Sequence, residues 1–475
     1  MIGNIIRKEL LNNIFSFRFL ISFILLLVII LATSVILTND YVRKQDEYSR
    51  RQAEIENYLR EYAHFNRLWS VLAPAQPPLA FYSLIRGISP EVNMEEFNND
   101  PLPVMFPLID LTFIVTVLLS LVALLFSYDA VCGEKEDGTL KLILANRIPR
   151  SKVLLGKTIG GTLTLLIPFI FSLGLSQIVI LLNPRVSWRG SDWGAFGLIV
   201  FSAILYVALF YSLGVFISSR HKSPASSIMT SLFIWVLFIL VIPSLTPYAA
   251  SFLAKTPSRI QIERQIDYMG NVERDELGRK LSNERRQEVI KKYPFLAEEL
   301  TQEERKKRIA ADPDYKKAYD EMVREYSAGW NEANRIQSAK INRIRDDQER
   351  KEERQQKLSI ILSMTSPLSS FTYLASDLSS TGMRSLRYFD ELTERWRSVY
   401  NESVRKRMTA MRKKDPTMDL WNTPVDVSDM PRFRYVDEPL LERITAVLPS
   451  LAVLFVFNII FFSAAFVAFV RYDVR

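Results

Sequence analysis

The charged stretch Asp129-Ala-Val-Cys-Gly-Glu-Lys-Glu-Asp-Gly-Thr-Leu-Lys141, which continues to Arg150, lies between two long apolar runs. The first run covers about residues 104–128, and the second covers about residues 159–182. Each run is long enough to cross a hydrocarbon core about 30 Å thick as a helix. A charged linker this short between two membrane spans is too small to form a domain. The pattern predicts instead a helix that lies at the membrane surface and is presented to the cytosol.

The composition indicates a membrane protein with a large water-exposed part. Of the 475 residues, 48% are hydrophobic, and they are gathered into runs rather than spread as amphipathic stripes. The net charge of +8 does not indicate nucleic acid as a partner, because acidic residues are mixed with the basic ones. Cys132 is the only cysteine, so an intrachain disulfide is excluded. The two histidines are too few and too scattered for a metal site, and the sequence predicts no cofactor.

Six apolar runs predict an all-α membrane protein with six transmembrane helices. The predicted spans are residues 19–38, 104–128, 159–182, 193–218, 226–248 and 440–470. Residues 1–18 have apolar side chains at helical spacing, which predicts an amphipathic interfacial helix rather than a cleaved signal peptide. The polar segments 39–103 and 249–439 predict an extracytoplasmic segment and a mainly α-helical extracytoplasmic domain. Within the second, the scarcity of breakers predicts one very long helix, or two nearly collinear ones, from Asp314 to about Ser363.

The basic residues of the short loops predict the orientation of the chain in the membrane. Six spans place both termini on one side, and short loops rich in Lys and Arg stay in the cytoplasm. A set of basic residues near the span ends falls on one side: Arg7, Lys8, Arg18, Lys141, Arg147, Arg150, Lys152, Lys157, Arg220, Lys222, Arg471 and Arg475. Both termini and the charged segment 129–158 are therefore expected in the cytoplasm of a cell inner or plasma membrane.

The charged segment resembles a known family. Gly133-Glu-Lys-Glu-Asp-Gly-Thr-Leu-Lys141, followed by a Pro-Arg pair and by Leu154-Leu-Gly-Lys157, is similar to the region after the second span of ABC-2 type transporter permeases. The resemblance implies a coupling helix that docks on a nucleotide-binding subunit. The implied ATPase-coupling residues are Glu134, Glu136, Asp137, Gly138, Thr139, Leu140, Lys141 and Arg147. The alternative is a solvated loop whose charges only hold the topology.

Two further segments resemble a subset of the same family with a large extracytoplasmic domain. Ser366-Pro-Leu-Ser-Ser-Phe-Thr-Tyr-Leu-Ala-Ser-Asp-Leu-Ser-Ser-Thr-Gly382 looks like a signature of that domain, and residues 77–87 form a similar Pro-Leu segment in the first external loop. Insertions between spans one and two and between spans five and six also match that subset. For both Pro-Leu segments we expect a turn and a short helix packed in a core rather than a ligand contact.

The sequence predicts that the chain itself is not an enzyme. Gly156-Lys157-Thr158 looks like the end of a phosphate-binding loop, but Ser151 stands where the first glycine is required and no strand precedes it. The triplet opens a membrane helix instead. ATP hydrolysis is therefore expected in a partner subunit.

Asp110 and Gln177 are the polar residues within the predicted spans that could face a translocation path. Asp110 could also pair with Arg443, or it could be a water-exposed residue at the end of its span. Gln177 is a weaker case of the same kind.

The resemblance implies the permease subunit of an ABC transporter, an exporter that works with an ATPase subunit and a second permease protomer in membrane lipid. An extracytoplasmic partner is a further possibility. The alternative is a scaffold or mechanical transmitter, with no transport, that relays the motion of a cytosolic ATPase to extracytoplasmic partners. A third class is a receptor that has no ATPase.

Overall fold

The computed structural model describes residues 2–61, 64–68, 74–87, 109–140, 149–298, 300–414, 419 and 423–471. Six of its helices are long and apolar enough to cross a membrane. The prediction of an all-α membrane protein with six spans is confirmed.

The chain begins with a short amphipathic helix and a very long one. Helix α1 covers Ile2–Ile14 and has no fully buried residue, and α2 covers Phe17–Glu61. The 45 residues of α2 make a helix about 68 Å long at about 1.5 Å per residue, more than twice the thickness of a hydrocarbon core. The predicted span 19–38 therefore continues without a break into the polar segment that follows it.

The next four spans follow in chain order. Helix α3 runs from Leu111–Phe113 through a π-helical stretch, Ile114–Leu119, to Ser120–Ser127. After the short helix α4, Cys132–Glu136, come α5, Arg150–Leu181, and α6, Gly190–Arg220. Helix α7 runs from Pro224–Val236 through a π-helical stretch, Leu237–Val241, to Ile242–Leu253.

Residues Leu245–Leu362 form a compact unit of their own. Its helices are α8, Arg259–Tyr268; α9, Arg274–Lys292; α10, Gln302–Ala311; and α11, Pro313–Ser363. A small apolar core that includes Val289, Leu296 and Tyr315 holds the unit together. Thr301 and Glu304 form a reciprocal cap that fixes the start of α10. The prediction of a very long helix to Ser363 is confirmed by α11, which has 51 residues.

The second compact unit contains Met1–Ser244 and Ser363–Arg475. Its last helices are α12, Pro367–Leu378; α13, Met383–Lys414; and α14, Leu440–Val470. Helix α12 packs against α6 and α14, and its Phe371 ring lies 5.3 Å from the Tyr206 ring of α6. The C-terminal end of α2 packs against α13, where Leu59 and Tyr400 share an apolar cluster.

The two Pro-Leu segments singled out in the sequence meet in this unit. Residues Ala80–Ser83 form a single 3₁₀ turn with Phe81 buried, and the chain then turns at Gly87, whose φ is 79°. A Cβ at Gly87 would overlap the backbone and side chain of Thr381, just after α12, so only glycine fits there. The segments thus have the core-packed turn and short helix that the sequence predicts for them.

Candidate coupling site

Within its described residues, 129–140 and 149–158, the charged segment contains the short helix α4 and the first turns of the third span. Helix α4 is followed by Gly138, which has a φ of 74°. Glycine adopts this left-handed conformation without strain, whereas residues with a side chain rarely do. Lys141 and Arg147, two of the residues implied by the resemblance, lie outside the described residues. The chain enters α5 at Arg150, ahead of the predicted span start at residue 159.

The described residues of the segment divide into an outward and an inward group. Glu136, Asp137, Gly138 and Thr139 are exposed and follow each other without a break. Glu134 turns its carboxylate inward, and Leu140 is 1% exposed. The outward group forms an acidic turn (residues 136–139) on the surface of the described structure.

A buried ion triad holds α4 in place. Lys157 Nζ of α5 donates to Glu134 Oε1 at 2.7 Å and to Glu9 Oε1 of α1 at 3.0 Å. The side chain of Lys157 is only 3% exposed, and those of Glu9 and Glu134 are 15% and 19% exposed. A buried ammonium is tolerated only when paired and hydrogen-bonded, and here two carboxylates do so. The triad therefore ties three segments that are distant in the sequence to one point.

Glycines on α5 bring α1 close enough for this triad. A Cβ at Gly156 would overlap the side chain of Ile5, and one at Gly160 would overlap the side chain of Glu9. The two glycines are four residues apart, so they lie on one face of α5. This close approach places the Glu9 carboxylate beside Lys157.

Further bonds fix the segment to the end of α6. Ser218 Oγ accepts from the backbone N–H groups of Val131 and Cys132, each at 3.0 Å. Lys135 Nζ donates to the backbone oxygens of Ser219 at 2.6 Å and His221 at 3.3 Å, which caps the last turn of α6.

The segment is also joined to α2 and to the start of α7. Arg18 donates to Asp129 Oδ2 at 2.7 Å and to the Tyr128 hydroxyl at 3.0 Å. Ser227 Oγ of α7 donates to the Tyr128 backbone oxygen at 2.7 Å. Residues 128–135 are therefore bonded to α1 through Lys157 and directly to α2, α5, α6 and α7.

Sequence reasoning missed this triad, in which Lys157 is the partner of both Glu134 and Glu9. It considered Lys157 in a misleading phosphate-loop pattern and among the basic residues near the spans, and it gave Glu9 no role. The usable signal was the pattern Gly156-Lys157…Gly160, in which a lysine inside a membrane helix is flanked by residues that admit a neighbouring helix.

Asp110 and Gln177 lie away from this site. Asp110 caps the start of α3, accepting from Phe113 N at 2.8 Å and from Arg86 N at 3.3 Å. Arg443, its suggested partner, donates to the Leu378 backbone oxygen at 2.9 Å. Gln177 is buried in α5, and neither atom of its amide has a hydrogen-bond partner within the described part of the chain. No metal-binding group of three or more acidic, His or Cys side chains occurs among the described residues either.

Comparison with known proteins identifies the family. Residues 3–474 match the family described as ABC-2 family transporter protein. A stretch of 132 residues, 28% of this chain, is 37% identical to the probable ABC transporter permease protein NosY of Pseudomonas aeruginosa. A stretch of 131 residues is 34% identical to the protein of the same name from Stutzerimonas stutzeri. The matched stretch spans about half, 48%, of the length of each relative.

The fold and the family match both indicate a membrane protein with several spans. Because the match covers nearly the whole chain, the protein belongs to the ABC-2 transporter family, and with its six candidate spans it is a multi-pass membrane protein.

Proposed function

We propose that this chain is the transmembrane permease subunit of an ABC transporter, driven by a separate ATPase subunit that docks on the acidic turn 136–139. The names of the two relatives support a permease role. One observation carries the docking proposal: four consecutive exposed residues stand on a base fixed by the buried Lys157 triad. When charged groups stand on a rigid base, a force applied to them moves the base and is not lost in local deformation of the turn.

The proposal assigns different roles to the two glutamates of α4. Glu136 and Asp137 are exposed and would contact the ATPase, whereas Glu134 is a positioning residue that holds α4 against Lys157. The proposed orientation has both termini and this turn in the cytoplasm. The proposed complex contains two permease protomers and works as an exporter.

The test is co-purification of the full chain with cytosolic proteins, followed by measurement of ATPase activity. We expect wild type to retain a nucleotide-binding subunit, and Glu136→Ala/Asp137→Ala to lose it while keeping the thermal stability of wild type. Glu134→Gln should instead lower thermal stability. Lys152→Ala, an exposed residue of α5 outside the turn, is the matched control and should retain the subunit.

Two results would count against this proposal. If wild type retains no ATPase, the receptor class takes its place. If Glu136→Ala/Asp137→Ala retains the ATPase with full activity, the docking surface lies elsewhere on the chain.

One observation favours the alternative, a mechanical transmitter. Helix α2 is continuous from Arg18, which pairs with Asp129, to Leu59, which packs against α13. A movement at the acidic turn would therefore reach the apolar cluster of Leu59 and Tyr400 through one rigid helix.

A reporter on the outer part of α2 tests the transmitter. A spin label on a cysteine at the exposed position Glu54 should change mobility with ATP in the reconstituted complex under both proposals. Transmission without ATP-dependent translocation of any solute or lipid would favour the transmitter, and translocation would favour the permease.

A further inference from the structure

A cavity of about 570 Å³ lies between the ends of α6 and α14, apart from the acidic turn. It is lined on one side by Phe216, Ser219 and Arg220, and on the other by residues that include Ala464, Val467 and Arg471. Its volume is within the range of small-molecule sites, about 300–1,000 Å³. Its wall is apolar along the helices and carries one arginine on each side at the helix ends.

The two arginines lie at the depth of lipid headgroups. Helices α6 and α14 have 31 residues each, so each is about 46 Å long at about 1.5 Å per residue. That length spans the hydrocarbon core and both headgroup regions, together about 40–45 Å. Arg220 is the last residue of α6 and Arg471 follows α14 directly, so both reach the headgroup layer.

Other cations already satisfy the carbonyl groups at these helix ends. Lys135 donates to the Ser219 and His221 backbone oxygens at the end of α6. Arg150 donates to the Val470 backbone oxygen at the end of α14 at 2.6 Å. The negative ends of both helix dipoles are thereby compensated.

Arg220 and Arg471 remain available for an anion. Both are exposed, and neither guanidinium has an ion pair or a hydrogen bond with a side chain or backbone group in the ranges that the structure describes. Membrane topology accounts for basic residues at this end of the spans, but it does not account for the cavity between them.

We propose that this cavity binds an anionic phospholipid. Arg220 and Arg471 take the phosphate, because a guanidinium matches phosphate oxygens in a forked geometry. Phe216, Ala464 and Val467 take the start of an acyl chain. A free phosphate would contact only the arginines, and an uncharged lipid would contact only the apolar wall. A lipid with an anionic headgroup contacts both, and we therefore assign the site to such a lipid.

The experiment measures lipid binding to the purified, delipidated full chain by native mass spectrometry. Phosphatidylglycerol and phosphatidylcholine with the same acyl chains are titrated separately, and inorganic phosphate is added as a competitor. We expect phosphatidylglycerol to bind at least about tenfold more tightly than phosphatidylcholine. Phosphate at millimolar concentration should leave the lipid bound.

Variants separate the headgroup from the acyl chain. Arg220→Gln/Arg471→Gln should weaken phosphatidylglycerol binding roughly thirtyfold, as expected for two basic residues near a membrane surface. The same variant should weaken phosphatidylcholine much less, because the choline ammonium offsets the charge of its phosphate. Ala464→Phe narrows the groove and should weaken both lipids. The matched control Lys152→Gln/Lys222→Gln removes two exposed cations that do not line the cavity, and should bind like wild type.

Three outcomes would overturn the proposal. Equal binding of the two lipids would show that no charged headgroup is selected. An equal loss in the control variant would show a general surface-charge effect. Displacement of the lipid by phosphate would identify a soluble anion as the ligand. Because both arginines are exposed, their variants keep the fold and the test remains decisive even if Ala464→Phe does not fold.

Discussion

Lys157 is a charged side chain in a position where an unpaired charge would not be tolerated. It is 3% exposed and bonds to the carboxylates of Glu9 and Glu134. Replacing one member of a buried ion pair leaves the partner charges uncompensated, which costs about 3–5 kcal/mol, whereas replacing all members can be neutral. The three residues should therefore behave as one energetic unit.

The first prediction concerns this triad. Lys157→Met should lower the free energy of unfolding by about 3 kcal/mol, because two carboxylates are left facing each other in a buried site. Adding Glu9→Gln and Glu134→Gln to the same chain should restore most of the loss. Thermal unfolding of the purified protein, read as the loss of monodisperse protein after heating, measures both effects. Lys152→Met, at an exposed position of α5, should change little. Additive losses in the triple variant would show that the residues act independently.

The second prediction concerns pH at Asp377, near the end of α12. Burial raises the pKa of this carboxyl to about 6, and Glu438 adds to the effect, while Arg384 and Arg387 oppose it. The ordinary value is 3.8, so the folded state holds the proton between about pH 4 and pH 6 where the unfolded chain has lost it. The contribution of this carboxyl to the free energy of unfolding is thus fully present below about pH 4 and is lost as the pH rises through 6.

Asp377→Asn should therefore flatten the dependence of stability on pH. Above pH 7 the variant should be more stable than wild type by up to about 3 kcal/mol, the equivalent of the pKa shift. A series of thermal melts from pH 4 to pH 8 measures this. Glu394→Gln, which removes an exposed carboxylate of α13, is the control and should follow wild type. Parallel curves for Asp377→Asn and wild type would contradict the prediction.

At the scale of elements, the docking of α1 on α5 depends on two residues without side chains. Gly156 and Gly160 admit Ile5 and Glu9, so α1 lies close to α5 although none of its residues is fully buried. The third prediction is that Gly160→Leu displaces α1. Gly174→Leu on the same helix is a matched control, because a Cβ at Gly174 has no neighbour within 4 Å in the described structure.

The displacement can be read from a single cysteine in α1. Ile5→Cys, in a chain where Cys132 is replaced by Ser, should react with maleimide several times faster when Gly160→Leu is added. The control Gly174→Leu should leave the rate unchanged. Equal rates in all three chains would mean that α1 does not depend on Gly160 for its position.

The lengths of α11 and α14 could be predicted from the sequence, but the contacts between elements could not. The absence of breakers predicted α11, and an apolar run after Pro439 predicted residues 440–470, which coincide with α14. Hydropathy predicted a span only from residue 159, because it counts Lys157 as polar whether or not distant carboxylates neutralise it. The helix that contains this span, α5, begins at Arg150. Glu9 lies 148 residues from Lys157, and no local pattern encodes a pair that far apart.

At the scale of the whole molecule, the spans differ in how much of their surface this chain covers. In α6, 67% of the most apolar stretch is buried within the chain, whereas in α7 the figure is 11%. Met229, Phe233 and Leu240 are each more than half exposed, and their spacing places them on one side of α7. In the proposed complex with a second permease protomer, this surface is where a copy of the chain would pack.

The fourth prediction is that α7 meets α7 of a second copy across a two-fold axis. In such an isologous interface a residue near the axis faces its own copy, so one cysteine is enough to form a cross-link. Phe233→Cys in a Cys132→Ser chain should therefore form a disulfide-linked dimer in membranes after mild oxidation. Ile178→Cys on α5 is the matched control and should stay monomeric, because the side chain of Ile178 is 57% exposed but lies on another span.

Equal cross-linking at both positions would indicate random collisions in the membrane. The absence of a dimer at Phe233, at Met229 and at Leu240 alike would mean that lipid covers this side of α7, and that the two protomers meet through another span.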